Sequence, residues 1–488
     1  MSPNKLLYTL LILSCTCSRG QTTEPTTVAD AHDNTISYIL DNLQSTDECQ
    51  NNSPNSSCDN SPPNVSFEYR TEDAQTQQRL NTAFESDKLD IDHCNYPNST
   101  HLAAEDQDTL RQVLLIHRHG DRTPISFPPK DPLANESFWK FHGYGQLTNR
   151  GKARLYVMGQ LTRKRYEKFI NRSVNKNMRL SRASGALRCI ESAQVFLASL
   201  LPLNAQDSPD AQTLAWNSGC DKLGNMWQPA SIQTMAIPLD GMLAEGSECN
   251  ALMDEYDNVI NKSKDVESIN QKYQDEAKVL KQVMGFQFDY FYKWFWASSQ
   301  IEVERSYFGD RVDSRVLAVY DRVQEAGRLA LLAYQSTLKS RGLRSGLLIN
   351  DMIENMKQCR QQALDPRNEG LTKKFIHYSS HDLNLLTLIG VLSNIDRFPF
   401  RPDYASNVIL ELHQDGQEWF VKFFYMPHVP SKLFQMHIDL CESNHPKKRC
   451  SLDKLEQIMQ PYIIKSWMSW MKECGNDLSK IDPYTPNH

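Results

Sequence analysis

The sequence has little that would tie it to nucleic acid, to a membrane or to a bound metal. Its formal net charge of -6 argues against nucleic acid, or an anionic membrane surface, as the main partner. A local cluster of arginines can still dominate a site on an acidic chain. No stretch is apolar for long enough to span a bilayer; Leu6 to Leu13 belongs to a run of roughly ten residues, about half the required length. The cysteines show no CxxC or zinc-ligand spacing. There is no internal repeat, and the polar end Thr485-Pro486-Asn487-His488 carries no retention or lipid-anchor signal. A soluble product with no membrane span and no metal is expected.

What is present fits a secreted globular chain. With 488 residues, 40% apolar and 23% charged, it can bury a full-sized core in two or three segments. Residues 1–20 read as a signal peptide: Lys5, then the apolar run, then small residues at Ser18-Arg19-Gly20. Cys15 and Cys17 go with that segment, and disulfides are the default for the other cysteines in an oxidising compartment. Asn51, Asn55, Asn64, Asn98, Asn135, Asn171 and Asn261 each open an Asn-x-Ser/Thr sequon, with Asn135, Asn171 and Asn261 the glycosylation candidates inside the ordered part. Residues 21–108 are rich in Thr, Ser, Asn and Pro and poor in large apolar residues, so they are expected to form a disordered arm. Cys49 and Cys58 are spaced to close a small loop within it.

Order is expected from about residue 109 to the end. Val113 to Ile116 reads as a strand buried on both faces, running into a loop. Gly145 to Phe169 reads as a helix with Thr148 as a plausible cap, Met178 to Ser181 as a strand, and Ala186 to Leu201 as a helix. Lys374 to Tyr378 is a third strand, and His381-Asp382 open the following helix. Strand, loop and helix repeated in this way describe an α/β sheet with functional residues at the C-terminal ends of its strands. Residues 204–358 are mainly helical by pattern, clearest over Asp275 to Trp296 and Arg311 to Leu338, and form an inserted cap. Asp415-Gly416 between two apolar runs signals a hairpin, and Ser451 to Met471 reads as a final helix.

The chemistry concentrates in Arg118-His119-Gly120-Asp121-Arg122-Thr123-Pro124. A phosphate monoester is an anion and repels a nucleophile; two guanidinium groups neutralise and orient its oxygens. Their field also lowers the pKa of a neighbouring histidine, keeping it neutral and nucleophilic in acid. Gly120 is read as letting the backbone approach the phosphate. Arg-His-Gly alone occurs by chance in turns; the seven-residue run directly after a buried strand does not read that way. In Ser379-Ser380-His381-Asp382, Asp382 is the candidate acid for the leaving alkoxide and His381 a donor to a phosphoryl oxygen. Taken alone, His-Asp at a helix start is more often a cap. Arg182 after the second strand is by itself weak, but three strand ends meeting at a switch point would place Arg118, Arg122 and Arg182 with two histidines and one acid around a single anion.

With these residues in hand, the chain resembles the histidine acid phosphatase family, in particular its prostatic and lysosomal members. The resemblance runs from about Gln112 to Cys474 through Asp131-Pro132, Trp139, Gly145 to Thr148, Gly151, Gly159, Arg163 to Tyr166, Ser192-Ala193, Tyr378 to Asp382 and Cys450. It implies a phosphoglycerate mutase-like α/β core sheet flanked by helices with a helical cap, and metal-free hydrolysis of phosphate monoesters at acidic pH. It also implies His119 as nucleophile, Asp382 as proton donor, and Arg118, Arg122, Arg182 and His381 as phosphate-binding residues. Disulfides Cys249–Cys474 and Cys441–Cys450 follow from the same resemblance, and a homodimer is one assembly it allows. Cys94, Cys189, Cys220 and Cys359 stay unassigned, Cys189–Cys220 being only a guess. The chain departs from the family at Ala183-Ser184-Gly185, which is expected to weaken the support of Arg182, and at Asn407, where relatives often carry cysteine.

The leading expectation is therefore a secreted acid phosphatase, with the lysosomal lumen as the alternative location. Phytase-like specificity is disfavoured because the middle segment mixes charges, as at Asp265, Glu267, Asp275 and Glu276. A catalytically weak or inactive glycosylated binding protein keeping the fold is the competing class, but such a protein would be expected to lose a nucleophile, an arginine or the acid. A mutase shares the first motif, and the signal peptide weighs against it.

Overall fold

The computed structural model describes residues 102–103, 106–171, 179–202, 229–245, 247–364, 367, 372–393, 401–441 and 448–476. The signal peptide, nearly all of the arm, Cys49, Cys58, Cys94, Cys220 and the sequons at Asn51, Asn55, Asn64 and Asn98 lie outside these residues.

In chain order the described elements begin with β1 (Leu110–Arg118), α1 (Ser137–His142), α2 (Asn149–Asn171), β2 (Arg179–Ala183), α3 (Leu187–Leu200) and β3 (Gln233–Thr234). The helical region follows: α4 (Asn250–Glu255), α5 (Lys264–Lys272), α6 (Gln274–Val283), α7 (Lys293–Phe308), α8 (Ser314–Ala318), α9 (Tyr320–Ala333) and α10 (Leu338–Gln362). The chain then returns to the sheet with β4 (Phe375–Ser380), α11 (Asp382–Leu392), β5 (Asn407–Asp415), β6 (Glu418–Met426), β7 (Phe434–Met436) and β8 (Arg449–Ser451). It ends in α12 (Leu452–Met459) and α13 (Trp467–Glu473).

The sheet order is β3-β2-β4-β1-β5-β6-β7, with β8 pairing β6. β1 to β4 are mutually parallel where they pair, and β5 adds antiparallel to β1. Both faces of β1 are covered, because strand side chains alternate between faces. Val113 and Leu115 pack with Leu155, Met158 and Phe196 of α2 and α3. Leu114 and Ile116 pack with Ile349, Met352 and Leu388 of α10 and α11. This three-layer arrangement requires a nearly continuous apolar strand, which is what the sequence supplies.

Several boundaries move for local reasons. The helix expected from Gly145 starts at Asn149, because Gly145 sits at φ +66 and Leu147 bridges to Arg122. Thr148 is its cap: Gly151 N donates to Thr148 Oγ1 at 3.2 Å. The stretch Asp275 to Trp296 is two helices separated at Gly285, whose φ of +86 ends the first. The last helix is likewise two, since Pro461 follows α12 and has no N–H to continue it. The hairpin β5–β6 turns at Gly416, φ +59, as the Asp-Gly signal requires.

Helices α4 to α9 bury a core of their own that includes Trp294, Ile301, Val323 and Ala330. α10 belongs to both layers: Leu343 and Leu347 join that core, whereas Leu348 to Met356 lie against the sheet. Disulfides Cys249–Cys474 and Cys441–Cys450 are both formed. The first ties the start of α4 to the end of α13. Cys189 and Cys359 are buried free thiols, so the guessed Cys189–Cys220 bridge is not made. Asn135 is exposed, and Asn261 is half-buried with its amide donating to Asp257 Oδ1 at 3.4 Å. No helix among the described residues is long and apolar enough to cross a membrane.

Candidate active site

The site begins where β1 ends. Arg118 pairs in register with Ser380 of β4, and the next amide, His119 N, donates to Ser380 O at 2.9 Å. The two strand ends are thus locked side by side. Ser184 N donates to Ser379 O at 3.0 Å and brings the end of β2 alongside. The loop after His119 is pinned to α2, with Thr148 N and Thr148 Oγ1 both donating to Asp121 O. Gly120 is needed here for packing. A Cβ at Gly120 would lie 2.6 Å from Gly151 O and 2.6 Å from Leu155 Cδ2, so any side chain would lift the loop off the helix. Arg154 completes the anchoring by bridging Asp121 at 3.1 Å and Asp403 at 2.9 Å.

His119 is buried, and its Nδ1 lies 2.8 Å from Gly120 O. A carbonyl can only accept, so Nδ1 carries the proton and the Nε2 lone pair is left free. Burial holds the imidazole well below the usual histidine range, and Arg188, Arg118, His381 and Arg122 reinforce the effect. Arg118 donates to Pro402 O at 2.7 Å, pairs with Asp382 Oδ2 at 3.0 Å and lies 4.0 Å over the Tyr404 ring. Arg122 donates to Ser299 Oγ of α7 at 3.0 Å, so the helical region holds one side of the site. His381 sits edge-on to His119 with ring centroids 5.5 Å apart, and its Nε2 is 3.0 Å from Ser184 Oγ.

The third arginine is not the expected one. Arg182 pairs in register with Tyr378, which pairs with Ile116, so all three point to the sheet face covered by α10. Tyr378 OH donates there to Asp351 of α10 at 2.6 Å. The charge of Arg182 acts on Asp240 and Tyr378 and is not among the leading influences on His119. Arg188, on the first turn of α3, takes its place: its Nη2 is 3.5 Å from His381 Nδ1, and it is the foremost charge acting on both His119 and His381. The Nε groups of Arg118, Arg122 and Arg188 are buried without a hydrogen-bond partner among the described residues. Three guanidinium groups, each with an unsatisfied Nε, acting on one neutral imidazole are suited to holding an anion. Ser184, read as a weakened neighbour of Arg182, supports His381 instead.

Asp382 opens α11, with Oδ1 accepting from Leu383 N at 3.0 Å. Arg401, which drew no attention in the sequence, donates from Nε to Asp382 Oδ2 at 3.0 Å. Burial by itself would raise this carboxyl, but Arg118 and Arg401, helped by Glu245 and His381, hold it well below the ordinary carboxylate range.

Behind His119 lies a buried polar chain. Ser181 Oγ is 2.8 Å from His377 Nδ1, His377 Nε2 is 2.8 Å from His117 Nε2, and His117 Nδ1 is 2.8 Å from Arg118 O. Burial lowers His117 to about 4, and His377 is lowered well below 6.5 by burial and by His117. Both are therefore neutral when folded and take up protons on unfolding at mildly acidic pH. Their contribution is present above the unfolded pKa and is lost as pH falls from about 6.5 towards 4, at roughly 3 kcal/mol for His117 alone. A His117→Phe/His377→Leu variant should lose less thermal stability between neutral and acidic buffer than the wild type. An equal loss in melting temperature would contradict this account.

A guanidinium-lined histidine at the carboxyl ends of parallel strands is an arrangement suited to phosphoryl transfer. The model of the histidine phosphatase superfamily (branch 2) matches residues 109–426, and the chain belongs to that family as a phosphatase. It is 30% identical over 369 residues to prostatic acid phosphatase of Bos taurus, covering 73% of this chain and 86% of the relative. It is 28% identical over 364 residues to the Homo sapiens protein of that name, with 73% and 86% covered. Against lysosomal acid phosphatase of Rattus norvegicus it is 26% identical over 384 residues, with 75% and 80% covered. Among solved structures it is similar to the Citrobacter braakii phytase, at TM-score 0.48 and 15% identity over 75% of this chain and 99% of that one.

Proposed function

We propose that the chain hydrolyses phosphate monoesters at acidic pH through a phosphohistidine on His119, with Asp382 as proton donor. The observation that carries this reading is the orientation of His119: Nδ1 is tied to Gly120 O, and Nε2 is free among three guanidinium groups. Arg118, Arg122 and Arg188 bind the non-bridging oxygens and offset the charge that would repel the attack. His119 Nε2 attacks phosphorus, the ester P–O bond breaks, and Asp382 protonates the leaving alkoxide. Water then cleaves the P–N bond, giving its proton to Asp382 and restoring the imidazole.

Release of phosphate from p-nitrophenyl phosphate at about pH 5 tests the reading directly. A folded, pure protein without that activity would favour the competing view of a binding protein that keeps the fold. That the chain keeps His119, Asp382, Arg118 and Arg122 supports the enzyme reading. Asp382→Asn should reduce turnover of alkyl phosphates by about 10²-fold or more, while aryl phosphates, whose leaving groups need less protonation, fall much less. Equal losses would remove Asp382 from the acid's role. The signal-like N-terminus and the prostatic and lysosomal relatives support export or delivery to the lysosomal lumen.

A further inference from the structure

A general acid must hold a proton before it can give one, and Asp382 in the free site is poorly placed to do so. Its Oδ2 accepts from both Arg118 and Arg401, which favours the ionised form. The side chain facing it is Glu245, which comes from the segment after β3. Glu245 is pinned through its backbone, whose carbonyl accepts from Arg344 Nη1 at 2.9 Å. Its Oε2 lies 3.7 Å from His381 Nδ1, and its Oε1 is buried with no donor facing it. Its carboxyl is within hydrogen-bonding reach of Asp382. Two carboxylates so placed repel each other, and an orphaned buried oxygen is costly. One shared proton relieves both problems.

We propose that Glu245 is the proton-holding partner of Asp382: it keeps the shared proton in the free site and passes it to Asp382 when a phosphate ester engages Arg118. This deepens, and rests on, the reading of the site as a phosphohistidine phosphatase. The surroundings divide the proton in that direction. Asp382 faces Arg118, Arg401 and His381, whereas Glu245 faces Asp382 and His381 with Arg188 and Arg344 further from its oxygens, and Tyr292 and Cys189 are neutral neighbours. Burial, followed by the charge of Asp382, pushes the Glu245 carboxyl up. A substrate dianion on Arg118 offsets the guanidinium charge that keeps Asp382 ionised, so the proton crosses to the residue that contacts the leaving group. The alkoxide takes that proton as the P–O bond breaks. The attacking water returns one to Asp382, and the pair starts the next cycle with a single proton.

Glu245→Gln tests the proposal because it keeps the shape and a hydrogen-bond donor but cannot exchange the proton. The full chain would be compared with wild type on an alkyl and an aryl phosphate across pH. Alkyl kcat/KM should fall about ten-fold with the basic limb moved to lower pH, while the aryl ester changes by less than about three-fold. Glu245→Asp should restore the wild-type limb. A glutamine variant with an unchanged limb and an unchanged alkyl-to-aryl ratio would overturn the proposal. If that variant does not fold, infrared spectra of the wild type decide: adding inorganic phosphate in mildly acidic buffer should shift the protonated-carboxyl band, and no shift would refute it. A wild type inactive on both esters would instead overturn the phosphatase reading.

Discussion

Replacing His119 with alanine is expected to lower phosphate release by about 10³-fold or more, for alkyl and aryl esters alike. The loss should not depend on the leaving group, because the proposed attack by His119 is required for both classes of ester. The variant should still bind inorganic phosphate, since the guanidinium donors of Arg118, Arg122 and Arg188 remain. Acid-quenched wild-type enzyme should carry phosphate on a histidine, and the variant should carry none. Residual activity within ten-fold of wild type would require another nucleophile, and His381, the other imidazole beside these arginines, has its Nε2 engaged at 3.0 Å by Ser184 Oγ.

The second large effect separates two arginines that lie close in sequence. Arg188→Ala should reduce kcat/KM by about 10²–10³, equivalent to roughly 3–4 kcal/mol of lost transition-state stabilisation. Arg182→Ala should change it by no more than about three-fold. The reason is directional. Arg182 is a strand residue whose face is fixed by its register with Tyr378. Arg188 stands on the opening turn of α3, beside His381 and with a buried Nε unsatisfied. Raising the phosphate-ester concentration should not rescue Arg188→Ala fully, since the proposed guanidinium contact serves the transition state as well as binding. A larger loss at Arg182 than at Arg188 would reverse the assignment.

The contrast shows what the sequence can and cannot convey. Val113 to Ile116 followed by the His119 loop was legible because burial on two faces leaves a local pattern, and Asp415-Gly416 declared its turn for the same reason. Thr148 was legible as a cap through its spacing. Arg188 was not: Arg182 directly follows a strand pattern, and only the pairing of β2 with β4 shows which way it points. A charged residue on the first turn of a helix that leaves a strand end was the available signal. Arg401 and Glu245 left no such trace, since each is far in sequence from the residue it touches. Gly120 was read as a feature of the phosphate site, and only the close approach of Gly151 reveals its packing role. The contact between His117 and His377 arises only from strand pairing, which brings their rings together across β1 and β4.

The order of the strands also governs how such a site comes into being. β4 lies between β1 and β2, yet it leaves the ribosome only after the entire helical segment. Until it inserts, β1 and β2 have no shared edge, His119 lacks the amide contact to Ser380, and Asp382 is not yet opposite Arg118. Assembly therefore depends on contacts that are remote along the chain, which slows folding and leaves apolar strand edges uncovered in the meantime. A nascent chain stopped before Phe375 should be aggregation-prone and dependent on chaperones, whatever the quality of its first motif.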